Sequence, residues 1–306
     1  MPIRLPEELQ YIQNSFLPQK STDERVDGKI CLITGATSGI GLAATQLYAR
    51  NGAELILVCR SEHKAKTLKR QLKEDFGTSS SIILADFNRL DDVRNAASEI
   101  LHQNPKIDIL INNAGIFNKR RNITPDGNEQ VFQVVHLAAF LLTRLLEEPL
   151  NAASTARVIM VNSEAHRFGG LKLADLTWKK RPYIGLQAYG AAKIAQILSA
   201  LTLAELWETK GITVNLVHPG AVRSNIGMNN NFFYRFYSKY ILSWFLKDVS
   251  VAANAIYYLG VDSELAGITG AYFNLTNEEK PASYILDATH RKQIWELSNK
   301  LIGLGE

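Results

Sequence analysis

Short apolar runs and longer amphipathic segments alternate along the chain from residue 29 to about residue 220. Apolar runs of about six residues indicate buried strands, and apolar residues spaced three and four apart indicate the helices between them. A chain that alternates in this way forms a parallel sheet with helices on both faces, so we predict an α/β fold with one doubly wound sheet of about seven strands. The predicted strands are residues 29–34, 54–59, 81–86, 107–112, 157–162, 212–217 and 270–274.

Two of the predicted helices are apolar on nearly every side. They are the fourth, at residues 128–147, and the fifth, at residues 187–210, which we expect to end at Pro149 and Gly211. A helix with this pattern must be buried on more than one side. The remaining helices of the alternation are predicted at residues 39–51, 62–76 and 90–102.

Charge and cysteine content narrow the classes of partner and compartment. The 34 Lys and Arg residues are scattered among 30 Asp and Glu residues, so we exclude nucleic acid as a partner. Cys31 and Cys59 fall at opposite ends of neighbouring parallel strands, which predicts free thiols and a reducing compartment. No apolar run reaches the roughly 18 residues that span a bilayer, and no signal-peptide core is present. We therefore predict a cytoplasmic protein, either free or attached to a membrane surface.

The first strand runs directly into a glycine-rich turn, TGATSGIG, from Thr34 to Gly41. Glycines let the backbone approach a pyrophosphate, and the free N–H groups at the helix N-terminus favour anions. The alternative is an ordinary tight turn between strand and helix. The position at the first strand–helix junction favours a cofactor loop, to which we assign Gly35, Thr37, Ser38, Gly39, Ile40 and Gly41.

Further candidate binding residues lie where the next strands end. Arg60 follows the second strand, at the position where an NAD-binding protein usually carries Asp or Glu. A guanidinium there favours a 2′-phosphate, which predicts NADP(H), whereas the alternative is a solvated surface arginine. Other polar and small residues end the third and fourth strands and line the predicted crevice: Asp86, Phe87, Asn113, Ala114 and Gly115.

The fifth helix begins with a tyrosine and a lysine four residues apart, Tyr189 and Lys193, which places both on one helical face. An adjacent cation favours the phenolate and is expected to lower the pKa of Tyr189, so that the phenol can exchange a proton with a carbonyl or alcohol oxygen. Ser163, at the end of the fifth strand, is placed to hydrogen-bond the same oxygen. These three residues are the predicted catalytic group.

These motifs in this order resemble the classical short-chain dehydrogenase/reductases over about residues 25–300. TPDGNEQVFQ, SEAHRFGG and the C-terminal GITGAYFN narrow the resemblance to the retinol dehydrogenase-like branch. The resemblance implies a Rossmann-type fold, NADP(H), no metal, a homodimer, and oxidoreduction of an alcohol–carbonyl pair. It implies that Tyr189 is the acid–base, that Lys193 binds the nicotinamide ribose and that Ser163 orients the substrate. The residues expected to border the nicotinamide are Pro219, Gly220, Val222 and Ser224.

The organisation of the chain predicts an N-terminal arm at residues 1–27 and a single domain at 28–306, and the resemblance implies a substrate lid near 225–250. Residues 231–247 are rich in aromatic side chains, with basic residues on another side. This pattern fits an apolar wall around a lipophilic small-molecule substrate or peripheral contact with a membrane. An ordinary amphipathic helix that covers the core is the alternative.

One position departs from the family pattern. Val135 stands where the family carries a catalytic asparagine that helps hold a water linking the lysine to solvent, and the neighbouring His136 is expected to be a core or interface residue. Valine has no polar side-chain atom. Two hypotheses follow: a working reductase with a slower or rerouted proton step, or an NADP(H)-binding scaffold or sensor with little turnover. The presence of Ser163, Tyr189 and Lys193 favours the enzyme.

Overall fold

The computed structural model describes residues 17–220, 248–285 and 287–305. Val222, Ser224, residues 1–16 of the predicted arm and most of the predicted lid lie outside this range. The strands are β1 (Ile30–Thr34), β2 (Glu54–Cys59), β3 (Ser80–Leu84), β4 (Ile109–Asn112), β5 (Arg157–Val161), β6 (Thr213–His218), β7 (Tyr272–Asn274) and β8 (Asn277–Glu279). The helices are α1 (Gly39–Arg50), α2 (Glu62–Phe76), α3 (Leu90–Gln103), α4 (Gln130–Phe132, Gln133–Leu137 and Ala138–Leu145), α5 (Glu147–Asn151), α6 (Gly185–Trp207), α7 (Val249–Val261) and α8 (Ala288–Ile302).

The strands form one sheet in the order β3-β2-β1-β4-β5-β6-β7-β8. The first seven strands are parallel, and β8 pairs with β7 in the antiparallel direction. The predicted α/β fold is thereby confirmed, with one strand more than predicted. The chain moves outward from β1 to β3 and then crosses to β4, so the strand order reverses between β1 and β4. Open sheets of this kind bind ligands beyond the carboxyl ends of the strands at that point.

Alternate residues of each strand pack against opposite layers of helices. In β1, Leu32 belongs to the core that includes α3, α4, α6 and α8, whereas Cys31 and Ile33 belong to the core that includes α1, α2 and α7. This alternation follows from the period of two along a strand. Because both faces are covered, the central strands consist of continuous apolar runs.

The helix α4 contains a π-helical segment, Gln133–Leu137, between two α-helical segments. Pro149 was predicted to end this helix, and that prediction is wrong. The helix ends at Leu145, and Pro149 lies in the first turn of the short helix α5, where a missing N–H is tolerated. Gly211 ends the predicted fifth helix in the left-handed conformation, after a 3₁₀ turn that follows α6.

The C-terminal helix α8 lies against α4 and α6 within the same chain. His136 Nε2 and Ser298 Oγ are 2.8 Å apart, and the rings of Phe140 and Trp295 meet edge to face at 5.1 Å between centroids. Arg291 forms an ion pair with Glu205 on α6. The prediction that α4 and α6 are buried on more than one side is therefore correct, and one of those sides is covered by α8. His136 is a core residue, and burial lowers its pKa to about 3.

The described part of the N-terminal arm packs on the edge of the sheet that carries β7 and β8. The main-chain N–H of Lys20 donates to Thr276 Oγ1, and Tyr257 Oη donates to the carbonyl of Glu24. Val26 is buried in the core beside α1 and α7. Among the helices described, none is long and apolar enough to cross a bilayer. Cys31 and Cys59 are both buried free thiols, as predicted.

Candidate active site

A cleft of about 870 Å³ opens beyond the carboxyl ends of β1 and β4. Twelve of the predicted binding residues line it together: Gly35, Thr37, Ser38, Gly39, Ile40, Gly41, Arg60, Asp86, Phe87, Asn113, Ala114 and Gly115. Their convergence from four strand ends follows from the parallel sheet, because all carboxyl ends meet at one edge. Pro219 and Gly220 follow β6 and are not part of this cleft lining.

The glycine-rich turn is bound tightly to the end of β4. Thr34 Oγ1 accepts hydrogen bonds from the main-chain N–H groups of Asn113 and Ala114, and Asn113 Nδ2 donates to the carbonyl of Thr34 at 2.9 Å. A Cβ atom at Gly41 would stand 2.3 Å from the carbonyl oxygen of Gly35 and 2.4 Å from Asn113 Nδ2. Only glycine fits at position 41, so the first turn of α1 comes as close to β4 as a dinucleotide cradle requires.

Two basic side chains stand beside the cleft at the end of β2. Arg60 directly follows Cys59, and Lys64 lies in the first turn of α2, where both line the same cleft and are exposed. Ser61 begins that helix, and its hydroxyl accepts the N–H of Lys64. The sequence prediction included Arg60 but missed Lys64. Lys64 could have been found from the serine at position 61. A serine at the N-cap accepts the N–H of the residue three positions later, so that residue lies at the same end of the helix.

The three predicted catalytic residues lie at the end of β5 and on α6. Ser163 has an extended backbone, and its Oγ accepts the N–H of Ala165, which fixes the hydroxyl at the start of the turn Glu164–Phe168. A hydrogen bond also joins Ser163 to the phenol of Tyr189. The Tyr189 ring meets that of Phe117, a cleft residue, at 6.0 Å between centroids. The predicted catalytic residues therefore adjoin the cleft through Phe117, but Ser163, Tyr189 and Lys193 are not part of its lining.

Lys193 lies one helical turn after Tyr189 and is buried. Its Nζ donates to the carbonyl of Val161 at 2.6 Å and to Gln196 Oε1 at 3.1 Å, and it stands 5.6 Å from the centroid of the Tyr189 ring. Burial lowers the pKa of Lys193 to about 7. A lysine in this position carries a full positive charge only below neutral pH, in contrast to a surface lysine.

The pKa of Tyr189 differs from the sequence prediction. Burial raises it to about 12, and the hydrogen bond with Ser163 opposes that rise. Burial disfavours the phenolate, so the lowering predicted from an adjacent cation is not seen. In the chain alone, Tyr189 is a protonated phenol at neutral pH.

Two further residues of this site were missed in the sequence. Asn162 and Gln196 are both buried and polar, and they surround the main chain and the amine of Lys193. Val135, the residue that departs from the family pattern, is fully buried on the π-helical segment of α4. Its side chain packs beneath the turn at Gly115.

A model of the short chain dehydrogenase family matches residues 29–233, which is more than half of the chain. The chain belongs to the short-chain dehydrogenase family. It is 33% identical over 299 residues to retinol dehydrogenase 13 of Homo sapiens, covering 96% of this chain and 89% of that protein. It is 34% identical over 278 residues to a protein named as a daunorubicin C-13 ketoreductase of Streptomyces, covering 90% and 93%. The solved structure of an uncharacterised Mycobacterium paratuberculosis protein matches with a TM-score of 0.73 at 25% identity, covering 92% of this chain and 95% of that one.

These relatives confirm the retinol dehydrogenase-like branch that the motifs indicate. They support an oxidoreductase of the short-chain dehydrogenase/reductase type that acts on alcohols or carbonyls. The glycine-rich turn, the tight contact at Gly41 and the strand ends around it fit a nicotinamide dinucleotide.

Gly41→Ala tests the dinucleotide cradle. The added methyl group meets the carbonyl of Gly35 and the amide of Asn113, so the turn must open, and we expect NADPH binding to weaken by at least about tenfold. Fluorescence titration of the purified protein with NADPH measures the dissociation constant. Gly305→Ala is the control, because a Cβ there meets no atom within 4 Å. An unchanged dissociation constant in a folded Gly41→Ala protein would contradict the assignment.

Proposed function

We propose that this chain is an NADP(H)-dependent oxidoreductase that interconverts an alcohol and a carbonyl on a lipophilic small molecule, with Tyr189 as the acid–base. The observation that carries the proposal is the grouping of Ser163, Tyr189 and Lys193 at the edge of the dinucleotide cleft. A protein that only holds the cofactor has no need for a buried lysine beside a hydrogen-bonded serine and tyrosine.

Each member of the group has its own part in the proposed reaction. Tyr189 donates its proton to the carbonyl oxygen in reduction and takes a proton back in oxidation. Ser163 hydrogen-bonds the same oxygen and holds it beside the phenol. Lys193 binds the nicotinamide ribose and returns the proton that Tyr189 loses. The bound cofactor supplies or accepts the hydride. The raised pKa of Tyr189 favours the protonated phenol, which is the form that carbonyl reduction uses.

Arg60 and Lys64 support NADP(H) as the cofactor. Both stand at the end of β2, on the side of the cleft where this fold binds the adenosine ribose, and both are cationic. A 2′-phosphate on that ribose pairs well with a guanidinium and an ammonium, whereas a free ribose hydroxyl does not need two cations.

The relatives support a lipophilic substrate, because the names of two of them refer to retinol and daunorubicin. We further propose one domain at 28–306 with a lid near 225–250, a cytoplasmic location and contact of residues 231–247 with apolar substrate or a membrane surface. Pro219, Gly220, Val222 and Ser224 are proposed to border the nicotinamide.

A homodimer stays a prediction. The resemblance implies that subunits pair through the helices α4 and α6, but α8 of the same chain covers one side of both helices. A second subunit must therefore bind another side of these helices or displace α8.

The alternative function is an NADP(H)-binding scaffold or sensor with little turnover. The observation that favours it is Val135, which offers no polar side-chain atom beneath the site. Turnover that depends on Tyr189 separates the two functions.

Tyr189→Phe removes the acid–base hydroxyl and keeps the ring. We expect NADPH-dependent reduction to fall by about 10²–10⁴-fold, while NADPH binding stays nearly unchanged. The assay follows NADPH absorbance with a panel of aldehydes and ketones that includes retinal and daunorubicin. Tyr258→Phe is the matched control, because its hydroxyl bonds Glu264 on the opposite face of the sheet and should not affect turnover. Tight NADPH binding without Tyr189-dependent turnover on any substrate would favour the scaffold.

Arg60→Ala and Lys64→Ala test the cofactor preference. Each variant should weaken NADPH binding by about tenfold and leave NADH binding unchanged, because only NADPH carries the phosphate. Titration of each variant with both cofactors gives the ratio of dissociation constants. Arg70→Ala on the same helix removes an exposed arginine outside the cleft and serves as the control. Equal losses for NADPH and NADH, or a wild-type preference for NADH, would contradict this part of the proposal.

A further inference from the structure

Gln196 occupies the space between Lys193 and helix α4, and every polar atom of its side chain is used. Its Oε1 accepts a hydrogen bond from Lys193 Nζ at 3.1 Å and a second from Asn162 Nδ2 at 2.9 Å. Its Nε2 donates to the main-chain carbonyl of Val135 at 3.3 Å. The residue is 4% exposed, so these bonds form away from competing solvent.

The bonds of Gln196 join three separate elements that carry the site. Lys193 lies on α6, three residues before Gln196, and Val135 lies on the π-helical segment of α4. Asn162 lies at the end of β5, where its Oδ1 accepts the main-chain N–H of Ser163 and its Nδ2 also donates to the carbonyl of Lys193. One amide therefore ties the amine of Lys193 to the strand end that presents Ser163 and to the backbone of α4.

We infer that Gln196 is a positioning residue for the reaction. It holds the amine of Lys193 and connects that amine to α4 through the main-chain carbonyl of Val135. The side chain of Val135 can make no such polar contact. The inference rests on the proposed function, because it assigns Gln196 a part in the acid–base chemistry. A buried valine at position 135 is then compatible with turnover, since the polar connection comes from α6 and from a carbonyl that every residue possesses.

The chemistry of the bond gives Gln196 an effect beyond packing. An amide oxygen that accepts from Nζ stabilises the ammonium form more than the neutral amine, because a hydrogen bond to a charged group is the stronger one. Removal of that acceptor disfavours the charged lysine, and a carboxylate in its place favours it. The two changes therefore act on the protonation of Lys193 in opposite directions.

Other titratable groups on elements packed against α6 are few among the described residues. His136 on α4 is buried, and its pKa of about 3 keeps it neutral. On the turn Glu164–Phe168, Glu164 pairs with Arg167, and His166 is held by the carbonyl of Ser163. His218 ends β6, while α8 contributes Arg291, which pairs with Glu205. Arg144 on α4 donates to Asn299 on α8, and α6 itself carries Tyr189 and Glu205 besides Lys193.

The test compares Gln196→Leu with Gln196→Glu. In cofactor-free protein carrying isotope-labelled lysine, NMR titration follows the Lys193 signal, which is assigned by its loss in Lys193→Met. We expect the pKa of Lys193 to fall by about one unit in Gln196→Leu and to rise by at least as much in Gln196→Glu.

The second measurement is the NADPH-dependent reductase assay, in which kcat of Gln196→Leu should fall by about tenfold. The pH at which activity declines should move to lower pH in Gln196→Leu and to higher pH in Gln196→Glu.

Ser199→Ala is the matched control, one turn farther along α6. Ser199 is buried, and its hydroxyl has no partner within the described chain, so neither the titration nor the pH profile should change. Shifts in the same direction for both Gln196 variants, or no shift in either, would overturn the inference. If Gln196→Leu does not fold, Gln196→Glu with Gln196→Met gives the same comparison. The titration needs no turnover, so an inactive wild-type protein would contradict the proposed function and leave this result decisive.

Discussion

The burial of the Lys193 amine against the carbonyl of Val161 is the constraint on which the arrangement of the candidate catalytic residues depends. A buried lysine needs hydrogen-bond acceptors, because burial removes the hydration of the amine and an unbonded buried amine is destabilising. The acceptors come from the end of β5 and from Gln196, so strand β5 and helix α6 must meet within hydrogen-bond distance. That contact sets the position of Ser163, two residues beyond Val161, and of Tyr189, one turn before Lys193.

The same burial gives the site its protonation states. It lowers the pKa of Lys193 to about 7 and raises that of Tyr189 to about 12, so the chain alone carries a phenol beside an amine that is charged for only part of the time at neutral pH. Under the proposed function, a bound nicotinamide ribose would place a hydroxyl beside Lys193, and a hydrogen bond to that hydroxyl would favour the ammonium. The proposal therefore implies that cofactor binding changes the protonation of Lys193.

The sheet and the dinucleotide cleft could be predicted because their signals are local. Apolar runs mark the strands, and the glycine-rich turn between Thr34 and Gly41 is recognised from its residues together with its position between the first strand and the first helix. Strand β8 is three residues long with a polar sequence, so its pairing with β7 depends on contacts rather than on a pattern. The contact of α8 with α4 and α6 could not be predicted for a similar reason. An apolar helix face predicts burial, but it does not indicate which element covers it.

The neighbours of Lys193 were hidden because they depend on geometry. The sequence led to Val135 through the missing asparagine, but nothing in a linear pattern shows that its carbonyl faces Gln196. Asn162 and Gln196 look like ordinary polar residues in the sequence, and only the structure shows that both are buried and bonded to Lys193. A buried polar group must find a partner, so such residues are best identified from the packing that surrounds them.

The pH dependence of stability tests the burial of Lys193 most directly. The folded pKa of about 7 lies below the ordinary value of 10.5, so the unfolded chain binds this proton more tightly than the folded chain does. The resulting destabilisation is full below about pH 7 and is relieved as pH rises towards the unfolded pKa. The free energy of unfolding of the cofactor-free protein, measured by urea between about pH 7 and pH 9.5, should therefore rise relative to that of Lys193→Met, by at most about 1.4 kcal/mol per pH unit. A constant difference across that range would contradict the account, because Lys193 would then titrate as an ordinary exposed lysine.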